Sequence, residues 1–147
     1  MRLSAKAEYA FFALYELARG YEAQDRIRLE DIAERQGIPE NFLVHIMLQL
    51  KHAGLVGSKR GAAGGYYLTK SPDQITVGEV IRLFEGPIFP LPCCEPDSAS
   101  AVRRQGYCPL GPILNDLREA VERRLDNLTF AEVVRRDADY GSSMYHI

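Results

Sequence analysis

The chain has 147 residues, 46% hydrophobic and 26% charged, with a formal net charge of −2; that is the size of one domain, with apolar content enough for a real core. No apolar run reaches the roughly 18 residues of a membrane span, and no signal-peptide pattern opens the chain, so a cytoplasmic protein with no membrane partner is expected. Three cysteines, an odd number, argue against a disulfide framework and for thiol chemistry or metal ligation.

The mild acidity hides an asymmetry. Residues 1–70 carry ten Lys/Arg against eight Asp/Glu, and residues 71–147 eight against twelve. A basic surplus confined to one half is where contact with nucleic acid is expected. In that half Ser4 is placed to cap a first helix running to about Arg19 and ended by Gly20. Ala7, Ala10, Phe11, Leu14, Leu17, Ala18 and Tyr21 recur at helical spacing and form its core face. Leu29, Ile32 and Ala33 mark a second, short helix ending at Gly37. Pro39 suits the first turn of a third, where its missing N–H costs nothing, and that helix stops at Gly54.

Two short helices joined by a glycine-containing turn predict a helix-turn-helix whose second member reads DNA. Leu43, Ile46, Met47 and Leu50 form the buried stripe of that helix; Asn41, Val44, His45 and Leu48 point the other way. Exposed apolar side chains suit thymine methyls, and an asparagine can hydrogen-bond adenine. His45 reads equally as a base contact or a plain surface residue.

Leu55-Val56 and Tyr66-Tyr67-Leu68 then flank a tip of glycine, alanine and the adjacent cations Lys59 and Arg60, a strand–loop–strand pattern. From Lys51 to Lys70, both included, stand four Lys/Arg, one His and no acid. Gly61, Gly64 and Gly65 permit positive φ and close backbone approach. By itself this stretch reads also as a solvated hairpin; directly after a helix-turn-helix it predicts a wing whose Lys59, Arg60 and Gly61 meet phosphates or the minor groove.

Beyond a polar link a helix begins near Thr76, with Val77, Val80, Ile81, Leu83 and Phe84 apolar, and Gly86-Pro87 stops it. Residues 87–109 form a long loop holding Cys93, Cys94 and Cys108, and loops of that length are commonly functional or disordered. From Leu110 the residues Ile113, Leu114, Leu117, Val121, Leu125 and Leu128 make the stripe of an amphipathic helix of roughly 18 residues, expected to pair with a two-fold mate, packing back on its own domain being the other reading. Thr129 caps a short helix with Phe130, Val133 and Val134, followed by a polar tail ending Met144-Tyr145-His146-Ile147. The expected fold is mainly α with a small β-hairpin. It divides into a winged helix-turn-helix domain (1–86), a cysteine-containing sensor loop (87–109), and a dimerisation helix, short helix and tail (110–147). The absence of Cys-x-x-Cys, clustered histidines or a nucleophile–base spacing speaks against an enzyme.

Met1-Arg2-Leu3-Ser4, Lys6, Tyr9-Ala10, Asp31-Ile32-Ala33-Glu34, Gly54-Leu55-Val56, Arg60-Gly61, Gly64-Gly65-Tyr66 and Val77-Gly78-Glu79-Val80-Ile81 resemble the Rrf-type winged-helix regulators, the IscR/NsrR/CymR family. The resemblance covers nearly the whole chain. It implies a homodimeric, sequence-specific transcription factor on a palindromic operator, sensing iron–sulfur status, nitric oxide, redox state or cysteine supply. Asn41, Val44, Arg60 and Gly61 match positions resembling the family's DNA-contacting ones.

The resemblance also implies an iron–sulfur cofactor, with Cys93 and Cys108 as the outer two of three cysteine ligands. Cys94 departs from the even spacing, abutting Cys93 with thirteen residues before Cys108. Glu8 matches an acidic fourth ligand contributed from the partner's first helix, and Gly111 replaces the histidine of IscR-like members. A thiol switch or inert cysteines are the other readings of these residues. A second branch is implied by Phe84-Glu85-Gly86-Pro87-Ile88 and by Tyr145 and Ile147 in the tail. These resemble CymR-like repressors, which form a complex with cysteine synthase.

Overall fold

A computed structural model describes residues 3–88 and 109–144. Ser4 opens the first helix as expected: its Oγ accepts the Ala7 amide at 3.3 Å, and α1 spans Ala5–Arg19. Ala7, Ala10, Ala13, Leu14, Leu17 and Ala18 are buried along it. Glu16 interrupts that face with a carboxylate only 2% exposed. It is kept by partners: Gln36 Nε2 donates to it at 2.6 Å, and Arg35 and Arg19 stand 3.3 and 3.6 Å away. A buried charge is tolerable when paired and hydrogen-bonded, and here the pairing ties α1 to the second helix.

That helix, α2, spans Leu29–Gln36 and ends at Gly37, whose φ of 63° is left-handed and favours glycine. The third, α3, spans Glu40–His52. Pro39 stands just before its first turn, as the N-cap, one position earlier than expected; its carbonyl accepts the Phe42 and Leu43 amides at 3.0 and 3.1 Å. Strands β1 (Val56–Lys59) and β2 (Gly65–Leu68) pair antiparallel, Val56 opposite Leu68 and Lys59 opposite Gly65. An isolated bridge, absent from the sequence expectations, flanks β2: Ile27 and Tyr66 exchange amide hydrogen bonds of 3.0 and 2.8 Å. Ile32, Leu43, Ile46, Met47, Leu50, Leu55, Val56 and Leu68 close a common core with Leu14 and Leu17.

Helix α4 (Val77–Glu85) is capped by Thr76, whose Oγ1 accepts the Glu79 amide at 3.1 Å. At its other end Glu85 Oε1 accepts the Ser4 amide and hydroxyl at 2.8 and 2.5 Å, which holds its carboxyl below the ordinary carboxylate range. Helix α5 (Gly111–Asp126) touches α4 through a two-pronged pair: Arg82 donates to both Asp126 oxygens at 2.7 and 2.8 Å, lowering the Asp126 carboxyl. Gly78 lies under that pair, and a β-carbon there would push the Asp126 carboxylate aside.

Helix α6 spans Phe130–Met144, with Thr129 Oγ1 accepting the Glu132 amide at 3.2 Å. The short helix and polar tail of the sequence expectation are therefore one 15-residue helix as far as Met144. Its packing on α1 accounts for the extension. Phe130 is 1% exposed within the head's core and stacks on Phe11 at 6.1 Å, and the Tyr15 hydroxyl donates to Asp137 at 2.5 Å. Desolvation, then that hydrogen bond, raises the Tyr15 phenol above its ordinary value. Phe130, from well beyond residue 86, thus shares the hydrophobic core with residues of α1 to α4.

Candidate nucleic-acid interface

The buried and exposed faces of α3 divide as the 3.6-residue period requires. Leu43, Ile46, Met47 and Leu50 are buried, whereas Asn41, Val44, His45 and Leu48 are exposed. Anchored by its apolar stripe, the helix presents those four side chains outward, in the manner of a recognition helix. Phe42, 55% exposed at the edge of the same surface, was not among the expected contacts.

The wing tip is held by glycines. Gly61 takes φ of 109° and Gly65 φ of 149°. Gly64 donates to the Gly61 carbonyl at 2.9 Å and sits so near the Lys59 carbonyl that a β-carbon would collide with it. Gly65, against the Ile27 carbonyl, is similarly confined. Lys59 ends β1, and with Arg60 and Gly61 it is exposed. An open groove of about 680 Å³ separates wing from helix, lined by Val44, Lys51, Lys59, Arg60, Gly61 and Arg28, among others. Four of the expected contacts thus share one groove; Asn41, His45 and Leu48 stand on the exposed face of the helix that borders it. Lys51 and Arg28 were missed. Lys51 Nζ donates to Ser58 Oγ at 2.8 Å and fastens α3 to β1; its place in the acid-free stretch was the available signal. Arg28 had none.

Glu8, the expected carboxylate ligand, is exposed on the first turn of α1. Cys93, Cys94, Cys108, Tyr145 and Ile147 lie outside the described residues. Among the described residues, no group of three or more His, Cys, Asp or Glu is gathered to hold a metal ion, and no helix is long and apolar enough to cross a membrane.

A helix-turn-helix whose second helix shares a groove with a cationic two-stranded wing defines a winged-helix DNA-binding protein. More particularly, the chain belongs to the Rrf2 family, described as iron-dependent transcriptional regulators, whose model matches residues 3–136. It is thus a transcriptional regulator rather than an enzyme. An rrf2-like HTH-type regulator of Rhodobacter capsulatus is 44% identical over 93 residues, a match spanning 62% of each chain. The HTH-type regulator CymR of Bacillus subtilis is 34% identical over 148 residues, 100% of both chains. The solved structure of that protein, described as the global cysteine regulator of B. subtilis, superposes with a TM-score of 0.75 at 32% identity, covering 92% of this chain and 98% of the other. The structure of T. potens IscR gives a TM-score of 0.75 at 30% identity, covering 99% and 97%.

Proposed function

We propose that the chain acts as a homodimer, reading a palindromic operator through α3 and the wing, and that its cysteine segment governs the affinity. The observation that carries this reading is the groove shared by the exposed face of α3 and the cationic wing. Asn41 is suited to adenine, Val44 and Leu48 to thymine methyls, and His45 to an adjacent base edge. Lys59 and Arg60 supply salt-dependent attraction to phosphates, with Gly61 permitting close approach. The two-fold mate docks on α5 and its N-cap, where Leu110, Ile113 and Leu117 are 60, 67 and 48% exposed. Two recognition helices then enter successive major grooves.

The test is a binding titration against fragments of the regulator's own upstream region. Arg60→Ala is expected to weaken binding about tenfold at physiological salt, with a shallower salt dependence. Unchanged affinity would remove the wing from the interface.

For the control element, Cys93, Cys94 and Cys108 offer thiolates and Glu8 an exposed carboxylate, a donor set suited to an iron–sulfur cluster. The family's iron-dependent description and the IscR relative support this reading. Anaerobically purified protein should be brown, with iron and acid-labile sulfide near stoichiometry. Colourless protein, after reconstitution as well, overturns it. A second reading makes the chain a repressor of cysteine metabolism, controlled by cysteine synthase bound at Tyr145 and Ile147. The alignment with CymR favours it, because it extends over the whole of both chains. A peptide ending Met144-Tyr145-His146-Ile147, titrated against cysteine synthase, tests that reading directly.

A further inference from the structure

The wing is more than a two-stranded hairpin. The segment Arg26–Arg28, which leads out of α1 and into α2, runs along the outer edge of β2. Its central residue makes the paired amide bonds between Ile27 and Tyr66, and its two flanking side chains reach over the tip. Arg28 donates through Nη2 to the Ala62 carbonyl at 3.0 Å, and Arg26 through Nη1 to the Ala63 carbonyl at 3.4 Å. Both carbonyls belong to the loop that carries Arg60 and Gly61. Arg28 is also the N-cap residue of α2, yet it makes no side-chain cap bond. Serine, threonine, aspartate or asparagine is preferred there, and an arginine leaves the helix end without that stabilisation. The side chain is committed to the wing instead.

The geometry points to Arg26 and Arg28 as positioning residues: a strap that holds the wing tip in its binding shape before DNA arrives. A two-stranded hairpin is marginally stable by itself in water, and the tip between Lys59 and Gly65 is rich in glycine, the residue with most freedom to lose on ordering. Guanidinium groups bonded to Ala62 and Ala63 limit that freedom in the free protein. The ordering cost is then met on folding and not again on binding, which raises affinity without adding a contact to the ligand. The backbone complements the clamp. Gly65 must lack a β-carbon to let the Ile27 carbonyl approach, so tip, β2 and strap form one interlocked unit.

This inference rests on the reading of the wing as a DNA contact, and the experiment separates the two. In the double variant Arg26→Gln/Arg28→Gln, affinity for the upstream-region fragment is measured over a series of salt concentrations, beside wild type and Arg60→Ala. Amide hydrogen exchange is measured on the free proteins. The strap predicts about five- to tenfold weaker binding with an unchanged salt slope, since Arg28, although it lines the groove, and Arg26 are bonded to the Ala62 and Ala63 carbonyls and not to phosphate, and faster exchange of the Gly64, Gly65 and Tyr66 amides. A residue that itself touches phosphate would instead lower the slope by about one per charge removed. A shallower slope, unchanged affinity, or unchanged exchange at the tip overturns the proposal. Far-UV circular dichroism and the unfolding midpoint confirm that the double variant is folded. If wild type binds no fragment, the operator reading itself has failed, while exchange at the tip still reports on the clamp.

Discussion

Replacing Phe130 by alanine tests whether the C-terminal helix belongs to the head. The ring is 1% exposed and lies against Phe11 at 6.1 Å with planes 23° apart. Returning such a side chain to water costs about 1.5–3 kcal/mol. Incomplete collapse of the cavity and loss of the aromatic pair bring the total to about 3–5 kcal/mol. Against a typical stability of about 5–15 kcal/mol this is a large fraction. At about 2–4 °C per kcal/mol for a chain of this size, Tm should fall by roughly 6–20 °C. Thermal unfolding followed by far-UV circular dichroism measures it, at one fixed protein concentration because the proposed dimer would make Tm concentration-dependent. Phe130→Leu, which conserves most of the volume, should cost less than about 1.5 kcal/mol. A drop below about 2 °C for the alanine variant would refute the packing argument, because it would mean that α6 contributes nothing to the core.

Two other outcomes follow from the same contacts. Ile113→Asp with Leu117→Asp places charge on the uncovered stripe of α5; size-exclusion chromatography with light scattering should then report a monomer with unchanged helical content, and a persisting dimer would locate the seam elsewhere. Glu85→Gln addresses acid stability. The Glu85 carboxyl is held low by Ser4, so its contribution is present above the ordinary glutamate range of about 4.3 and disappears as pH falls through its depressed folded value. The variant should therefore melt below wild type near pH 7, with the gap closing toward about pH 3; the same gap at both ends would count against the Ser4–Glu85 link.

What the sequence disclosed and what it withheld divide along the range of the interactions involved. The buried stripe of α3, the Ser4 and Thr129 caps and the stop at Gly37 are local patterns, readable within a turn or two of helix. Glu16 is different. Its partners Arg35 and Gln36 stand nineteen and twenty residues away, and nothing near it signals burial. The bridge at Ile27 involves a single residue without alternation, and Arg26 and Arg28 have meaning only once the wing folds over them. The C-terminal helix was underestimated because Asp137, Asp139 and Gly141 look like a solvated tail; the Tyr15–Asp137 contact comes from α1, at the far end of the chain. Of the candidate site, the recognition face and the wing cations were legible from period and charge. Which of them share a groove was not, since that depends on how α3 and the hairpin are fastened together by Lys51 and Ser58.

The return of α6 to α1 makes the head a body assembled from two separate stretches of chain, with α5 as an excursion between them. The return is sewn in by a backbone bridge between Thr76 and Thr129, with the Val77 amide on the Leu128 carbonyl at 2.8 Å and the Phe130 amide on the Ile75 carbonyl at 3.0 Å. Among the described residues no side chain of α5 belongs to the head's core cluster, and α5 meets α4 through the Arg82–Asp126 pair. A product truncated after the wing and α4, by contrast, is not a smaller version of the regulator. It is a head with a ring-sized hole beside Phe11, and grafting it onto a foreign dimerisation unit would carry that hole along.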